Sequence, residues 1–229
     1  MERDALRVLH VAAEAYPLLK TGGLADVMGA LPAALGREGA DARVLLPGFE
    51  PVLDALHSPR DVATVLLPWD ATPARIVAGR VESLGGLTCY AVRADALYRR
   101  AGGPYADANQ KPWPDNHRRF ALLSNAAARL AAGADTAWQP EVIHGHDWHA
   151  GLMPAYVHHD AKAAARVRSV YTVHNLAYQG LFAASTFDDL GLPSSAWSMQ
   201  GVEFHGQVSF MKAGLQHADA VTTVSPRYA

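Results

Sequence analysis

Residues 144–151 read HGHDWHAG, which puts three histidines and an aspartate within six positions of a chain with eleven histidines in all. Neutral imidazole is the commonest metal ligand, and carboxylate binds metal as well. His144 and His146 lie two apart, so on a strand they point to the same face. One binuclear-hydrolase pattern, HxHxDH, sets the aspartate directly before the last histidine. Here Asp147 comes one place early, with Trp148 between it and His149, and that shift redirects the carboxylate. Three readings fit the spacing: a metal site, histidines that satisfy backbone groups at a crowded strand end, and the polar edge of a substrate cleft.

A second group is Lys20-Thr21-Gly22-Gly23. Two glycines let a backbone approach a ligand closely, the helix expected next offers free N–H groups at its positive end, and Lys20 adds a mobile cation. The segment is neither the GxxxxGK[ST] phosphate loop nor the GxGxxG dinucleotide fingerprint. Anion binding and a plain surface lysine before a loop both remain open for it.

These residues must be held by something, and the chain alternates strand and helix patterns. LRVLHVAA reads as a buried strand; Leu24, Val27, Met28, Leu31 and Leu35 follow helical spacing, with Pro32 a possible kink. DARVLLP, VATVLLPW, ARIVAGRVES and LTCYAVRA read as strands, the last two joined as a hairpin by Leu84-Gly85-Gly86. A Gly/Pro-rich loop spans about Arg100 to Pro114. Phe120, Leu123, Ala127 and Leu130 then mark a helix for which Asp115 is the expected N-cap. EVIHGH, a helix from about Ala150, VRSVYTVH, the helix MKAGLQHA and the strand DAVTTVS complete the series. Serial βα units imply a mainly parallel, doubly wound sheet covered by helices on both faces. Ligands of such sheets bind beyond the carboxyl ends of the strands. Glu14, the group His146, Asp147 and His149, the pair His174 and Asn175, and Ser225 all fall at those ends.

Composition narrows the class. Half of the 229 residues are hydrophobic, enough for a sizeable core, and the net charge is −2 without a basic block, which argues against a nucleic-acid partner. Cys89 is the only cysteine, so no internal disulfide forms and a reducing, cytoplasmic setting fits. No apolar run approaches the ~20 residues of a membrane span, and the start of the chain does not read as a secretory signal.

EAYPLLKTGGLADVMGALPAAL, DARVLLPGF, PDNHRRFALL, VIHGHDWHAGL, YTVHNLAYQG and GVEFHGQVSFMKAGLQHADAVTTVSPRYA occur in that order. Together, from about Arg7 to Ala229, they closely resemble the N-terminal half of bacterial glycogen synthases and plant starch synthases. The resemblance implies a GT-B fold of two Rossmann-like domains facing a cleft, and retaining transfer of glucose from ADP-glucose to the non-reducing end of an α-1,4-glucan such as glycogen. No metal and no other cofactor is implied. Residues 1–229 would be the N-terminal catalytic and acceptor domain, its missing partner being the C-terminal nucleotide-binding domain.

By the same resemblance Lys20 approaches the donor phosphates, with Gly22 and Gly23 giving room. Asp147 lies by the transferred glucose or acceptor. His174 sits against the donor glucose, its main-chain carbonyl facing developing positive charge, and Asn175 lines the same pocket. Glu14 and Tyr105 fit the glucan-facing side. His144 and His149 are expected to be structural; Trp113 and Trp148 are expected to pack in the core, with stacking on sugar the alternative. The alternatives are a non-catalytic glucan-binding domain and a metal-dependent hydrolase.

Overall fold

Runs of aliphatic residues at strand length form the centre of the molecule. In a computed structural model, described over residues 5–69 and 73–226, the elements in order are β1 (Arg7–Val11), α1 (Gly23–Arg37), β2 (Asp41–Pro47), α2 (Glu50–Asp54), β3 (His57–Val65), β4 (Ala74–Val81), β5 (Leu87–Arg93), α3 (Asp95–Tyr98), α4 (Asn116–Ala131) and β6 (Val142–His146). There follow α5 (Met153–His159), α6 (Ala161–Ala164), β7 (Arg168–Val173), β8 (Leu181–Ala183), β9 (Glu203–Phe204), β10 (Gln207–Ser209), α7 (Phe210–His217) and β11 (Ala220–Thr223). The first four residues and the end of the SPRYA motif, 227–229, lie outside the described residues.

Eight strands make one sheet in the order β11-β7-β6-β1-β2-β5-β4-β3. The six from β11 to β5 run parallel, while β4 and β3 add an antiparallel arm. The chain winds outward from β1 through β2, then returns and places β6 on the other side of β1. The gap between β1 and β6 is therefore the topological switch point, where a doubly wound sheet opens a crevice for ligands. Leu9, Val11, Val44, Leu45, Leu46 and Ile143 are fully buried, as strands covered on both faces require.

The Leu84-Gly85-Gly86 hairpin forms, and Gly85 and Gly86 take the positive φ values (72° and 75°) its turn demands. α1 runs unbroken through Pro32. VATVLLPW differs from expectation: β3 starts earlier, at His57, carries two register shifts and stops at Val65. A small three-stranded sheet, β8-β10-β9, was not legible in the sequence; its strands are two or three residues long. Asp115 does not cap α4 with its side chain. Arg100 takes the carboxylate instead, donating to both oxygens at 2.8 and 2.6 Å, a stronger two-pronged, charge-assisted contact than a cap.

Two devices hold the loops that matter. Gly29 of α1 lies against the backbone of Tyr16: a Cβ there would come within 2.3 Å of the Tyr16 carbonyl oxygen. That close approach seats the segment leading to Lys20. Arg119 of α4, almost wholly buried, donates to the carbonyls of Leu97 (2.9 Å) and Pro104 (2.8 Å) and to Asn116 Oδ1 (2.7 Å). Asn116 in turn donates to the Tyr105 carbonyl at 2.9 Å, so the Gly/Pro-rich loop is tied down from within.

Candidate active site

At the carboxyl ends of β1, β6 and β7 lies a cleft of about 750 Å³. It is lined by Glu14, Gly22, Gly23, Tyr105, Asp147, His174 and Asn175, and also by Trp148, His149 and Tyr178. Seven of the eight residues expected to bind or react thus face one space. A cleft of about 760 Å³ lies beside Arg99 and Arg100, and a smaller one of about 440 Å³ beside His159 and Asp160. The two arginines of the former are already paired, with Glu50 and Asp115, and neither cleft lies at the switch point.

Lys20 stands apart. It is exposed and does not line the cleft; its ammonium donates to both carboxylate oxygens of Asp26, at 2.8 and 2.9 Å, and this contact raises its pKa. Glu14 is buried, and its Oε2 accepts from the Thr21 backbone N–H (2.5 Å) and hydroxyl (2.7 Å). Its observed work is to order the Lys-Thr-Gly-Gly turn. Gly22 is extended, and a Cβ on Gly22 or Gly23 would meet open space. The free N–H end of the 15-residue α1 adjoins them.

Asp147 has φ 60° and ψ 178°, a conformation costly for any residue but glycine. Its N–H donates to the Thr172 carbonyl on β7 (2.8 Å), and its carboxylate accepts from Trp148 N–H (2.7 Å). Burial raises its pKa to about 6; backbone N–H groups of Trp148 and Asn175 oppose the rise and the Glu14 carboxylate adds to it. Tyr105 stacks on His149 with ring centroids 4.6 Å apart. Its buried hydroxyl has no hydrogen-bond partner among the described residues, and burial, then the Glu14 carboxylate, push the phenol well above its usual value.

The three histidines of HGHDWH divide in role. His149 is buried beneath Tyr105, Phe120 and Trp148. His144 and His146 stack at 4.0 Å, as their spacing required, and His144 Nε2 bonds the Thr172 hydroxyl at 2.6 Å. His146 belongs to a row: its Nε2 lies 3.1 Å from His10 Nδ1, and its Nδ1 lies 3.1 Å from His174 Nε2. His10 is the residue sequence reasoning missed; it pairs with His144 in strand register, a neighbour only the sheet supplies. Burial first, then mutual repulsion, lowers His10 to about 3 and His146 well below 6.5; burial also lowers His144 to about 4 and depresses His174. The row is neutral at pH 7.

Neutrality fixes which nitrogen carries each proton. His10 Nε2 is buried without a partner among the described residues, and an orphaned N–H is rarer than an orphaned acceptor. The favoured set therefore has His10 donating from Nδ1 to His146, His146 donating from Nδ1 to His174, and His174 keeping its own proton on Nδ1. Long-range ¹H–¹⁵N NMR at neutral pH should show Nδ1–H tautomers for all three. An Nε2–H signal from His174 would mean that the row runs the other way.

A family profile described as the starch synthase catalytic domain matches residues 7–229. The chain belongs to this family. It is 57% identical to a glycogen synthase of Variovorax paradoxus over 98% of its length and 50% identical to one of Francisella philomiragia, again over 98%. It spans 46% of each of those relatives. Among solved structures it resembles the catalytic domain of starch synthase IV from Arabidopsis thaliana bound to ADP and acarbose, with a TM-score of 0.80 and 28% identity over 98% of this chain and 46% of that one. The Rossmann-like half of a GT-B enzyme expected from the motifs is the fold observed. Family membership also accounts for the order of the six motif segments, since the match runs through all of them. Among the described residues no helix is long and apolar enough to cross a membrane.

Proposed function

We propose that residues 1–229 form the N-terminal, acceptor-side domain of a glucosyltransferase that moves glucose from ADP-glucose to the non-reducing end of an α-1,4-glucan, with retention. A second, nucleotide-binding domain completes the site. The observation that carries this reading is the gathering of Asp147, His174, Asn175, Gly22 and Gly23 around one cleft at the switch point in a chain of this family. The ADP and acarbose named for the Arabidopsis starch synthase IV structure support a nucleotide and a glucan-like ligand in such a cleft. A cytoplasmic setting belongs to the same reading, supported by the single, buried Cys89.

The chemistry follows from charge. As the diphosphate leaves, the anomeric carbon gains oxocarbenium character, and the acceptor hydroxyl attacks from the same face. Open space beside Gly22 and Gly23 leaves a phosphate free to reach the N-terminal end of α1, a preorganised positive pole. Lys20 joins it by exchanging Asp26 for the phosphate, an inexpensive trade for a surface pair. Asp147, ionised at pH 7, offers negative charge near the developing cation. His174, held by His146, presents its main-chain carbonyl to the sugar. The leaving phosphate takes the acceptor's proton, so no glycosidase-like carboxylate pair is needed. We assign no metal to this step.

The test compares this chain with the full-length protein, using ADP-glucose and glycogen. The chain alone should bind maltooligosaccharides yet transfer glucose more than ~10²-fold more slowly, because a water-poor site with both substrates aligned needs both domains. In the full-length protein, Lys20→Ala and Gly22→Ala should leave the melting temperature unchanged and weaken transfer, and EDTA should have no effect. Full turnover by the chain alone, or inhibition by EDTA that Zn²⁺ or Mn²⁺ reverses, would overturn the reading.

A further inference from the structure

The second histidine cluster lies far from the cleft. In each βα unit the helix runs back from the carboxyl edge of the sheet, so α5 and α7 both end at the opposite, amino edge. His158 and His159 close α5, and His217 closes α7. Each of the three offers a ring nitrogen, and these nitrogens all lie within 4.8 Å of one another. The rings face one another with centroids 4.9, 5.0 and 5.8 Å apart.

We propose that His158, His159 and His217 form a binding site for a late first-row divalent cation, Zn²⁺ being the reference case, that clips the ends of α5 and α7 together. Four observations support it. His217 donates from Nδ1 to the Ala213 carbonyl at 2.9 Å, which fixes its ring and leaves Nε2 with a bare lone pair, the usual arrangement behind a metal-binding imidazole. His158 and His159 are exposed and His217 half-exposed, so an ion has a way in and the rings have room to close. Tetrahedral Zn–N bonds of ~2.0–2.1 Å need nitrogens ~3.3 Å apart, a small rotation from the positions seen. Finally, the last carbonyls of two helices meet there, and that negative end favours a cation.

The donor set determines the ion. Three imidazoles suit Zn²⁺, Ni²⁺ or Cu²⁺ and give nothing to Mg²⁺ or Ca²⁺, which take oxygen ligands. Among the described residues no carboxylate is paired with any of the three rings. Three protein nitrogens leave the remaining positions to water. The ion would hold α7, and through it the start of β11, against α5. It acts on folding and owes nothing to the proposed transfer reaction.

The test is calorimetric titration of the untagged, EDTA-treated chain with Zn²⁺ at pH 7.5, alongside thermal melts with Zn²⁺ or Mg²⁺. The expected result is one saturable Zn²⁺ site, a melting temperature raised by Zn²⁺ and not by Mg²⁺, and affinity more than ~10-fold lower in His217→Asn and in His158→Asn, a loss at least as large as that from disturbing an outer-shell partner. Co²⁺ should give the visible spectrum of a nitrogen-ligated, low-coordinate ion in the unaltered chain, a readout that needs no variant. No saturable site, or binding undiminished in the His158→Asn/His217→Asn double variant, would overturn the proposal.

Discussion

Asp147→Asn should make the protein more stable at neutral pH while impairing the proposed transfer in the full-length protein. Asp147 is 6% exposed, and burial lifts its carboxyl from the usual 3.8 to about 6. Holding it ionised at pH 7 therefore costs up to about 3 kcal/mol. Asparagine keeps the size, accepts the same Trp148 N–H and bears the same backbone cost as aspartate, so the comparison isolates the charge. The direction with pH follows from proton counting. Between pH 4 and 6 the folded chain holds this proton more tightly than the unfolded one, so its stability contribution falls as pH rises through that window and levels off above 6. The gain from Asn should be absent below about pH 4 and complete above about pH 6. Urea titrations of both proteins across pH 3–8 measure it; a difference independent of pH would show that Asp147 is not the strained, buried acid described.

Gly151→Ala should be among the most damaging single-methyl additions. A Cβ there would lie 2.2 Å from the Phe210 carbonyl oxygen and 2.6 Å from its carbon. Neither is the far end of a flexible side chain. Phe210 N–H is held by the Gly180 carbonyl and Met211 N–H by the Gln179 carbonyl, both at 3.1 Å, so the start of α7 cannot retreat without giving up both bonds. Gly180 is itself confined, since a Cβ on it would come within 2.6 Å of the Trp148 ring. Overpacking usually costs ~1–3 kcal/mol, and contact with fixed backbone belongs at the top of that range, which for a chain of this size lowers the melting temperature by about 6–12 °C. An unchanged melting temperature would mean that the turn before α5 and the start of α7 do not meet as described.

The strands that sequence showed are those whose aliphatic runs are bounded by turn residues, such as DARVLLP, recovered as Asp41–Pro47. Strands of two or three residues carry no period, so β8, β9 and β10 could not be read. Asp115 illustrates a different failure. Its position before a helix suggested a cap, but a guanidinium fifteen residues away offered a stronger partner, and pairings of that kind appear only once the loop is folded. For the cleft, position at strand ends brought together Glu14, Asp147 and His174. It could not tell that Lys20 points elsewhere, or that Tyr178, 64% exposed, stands at the rim. His10 was illegible for the plainest reason: residue 10 and residue 146 become neighbours only through the β1–β6 pairing.

That row of imidazoles bears on how this cleft can be altered. A mutant library confined to residues in view of the ligand would vary His174 and leave His146 and His10 untouched, yet the proton pattern on the front ring is chosen two rings behind it. An apolar residue at position 10 would remove the first donor of the row and release His146, and then His174, to exchange tautomers, with no atom lining the cleft replaced. If the proposed transfer is right, selection for new acceptor specificity should yield substitutions on β1 that look like neutral core changes and act by altering the hydrogen-bonding face that His174 turns to the cleft.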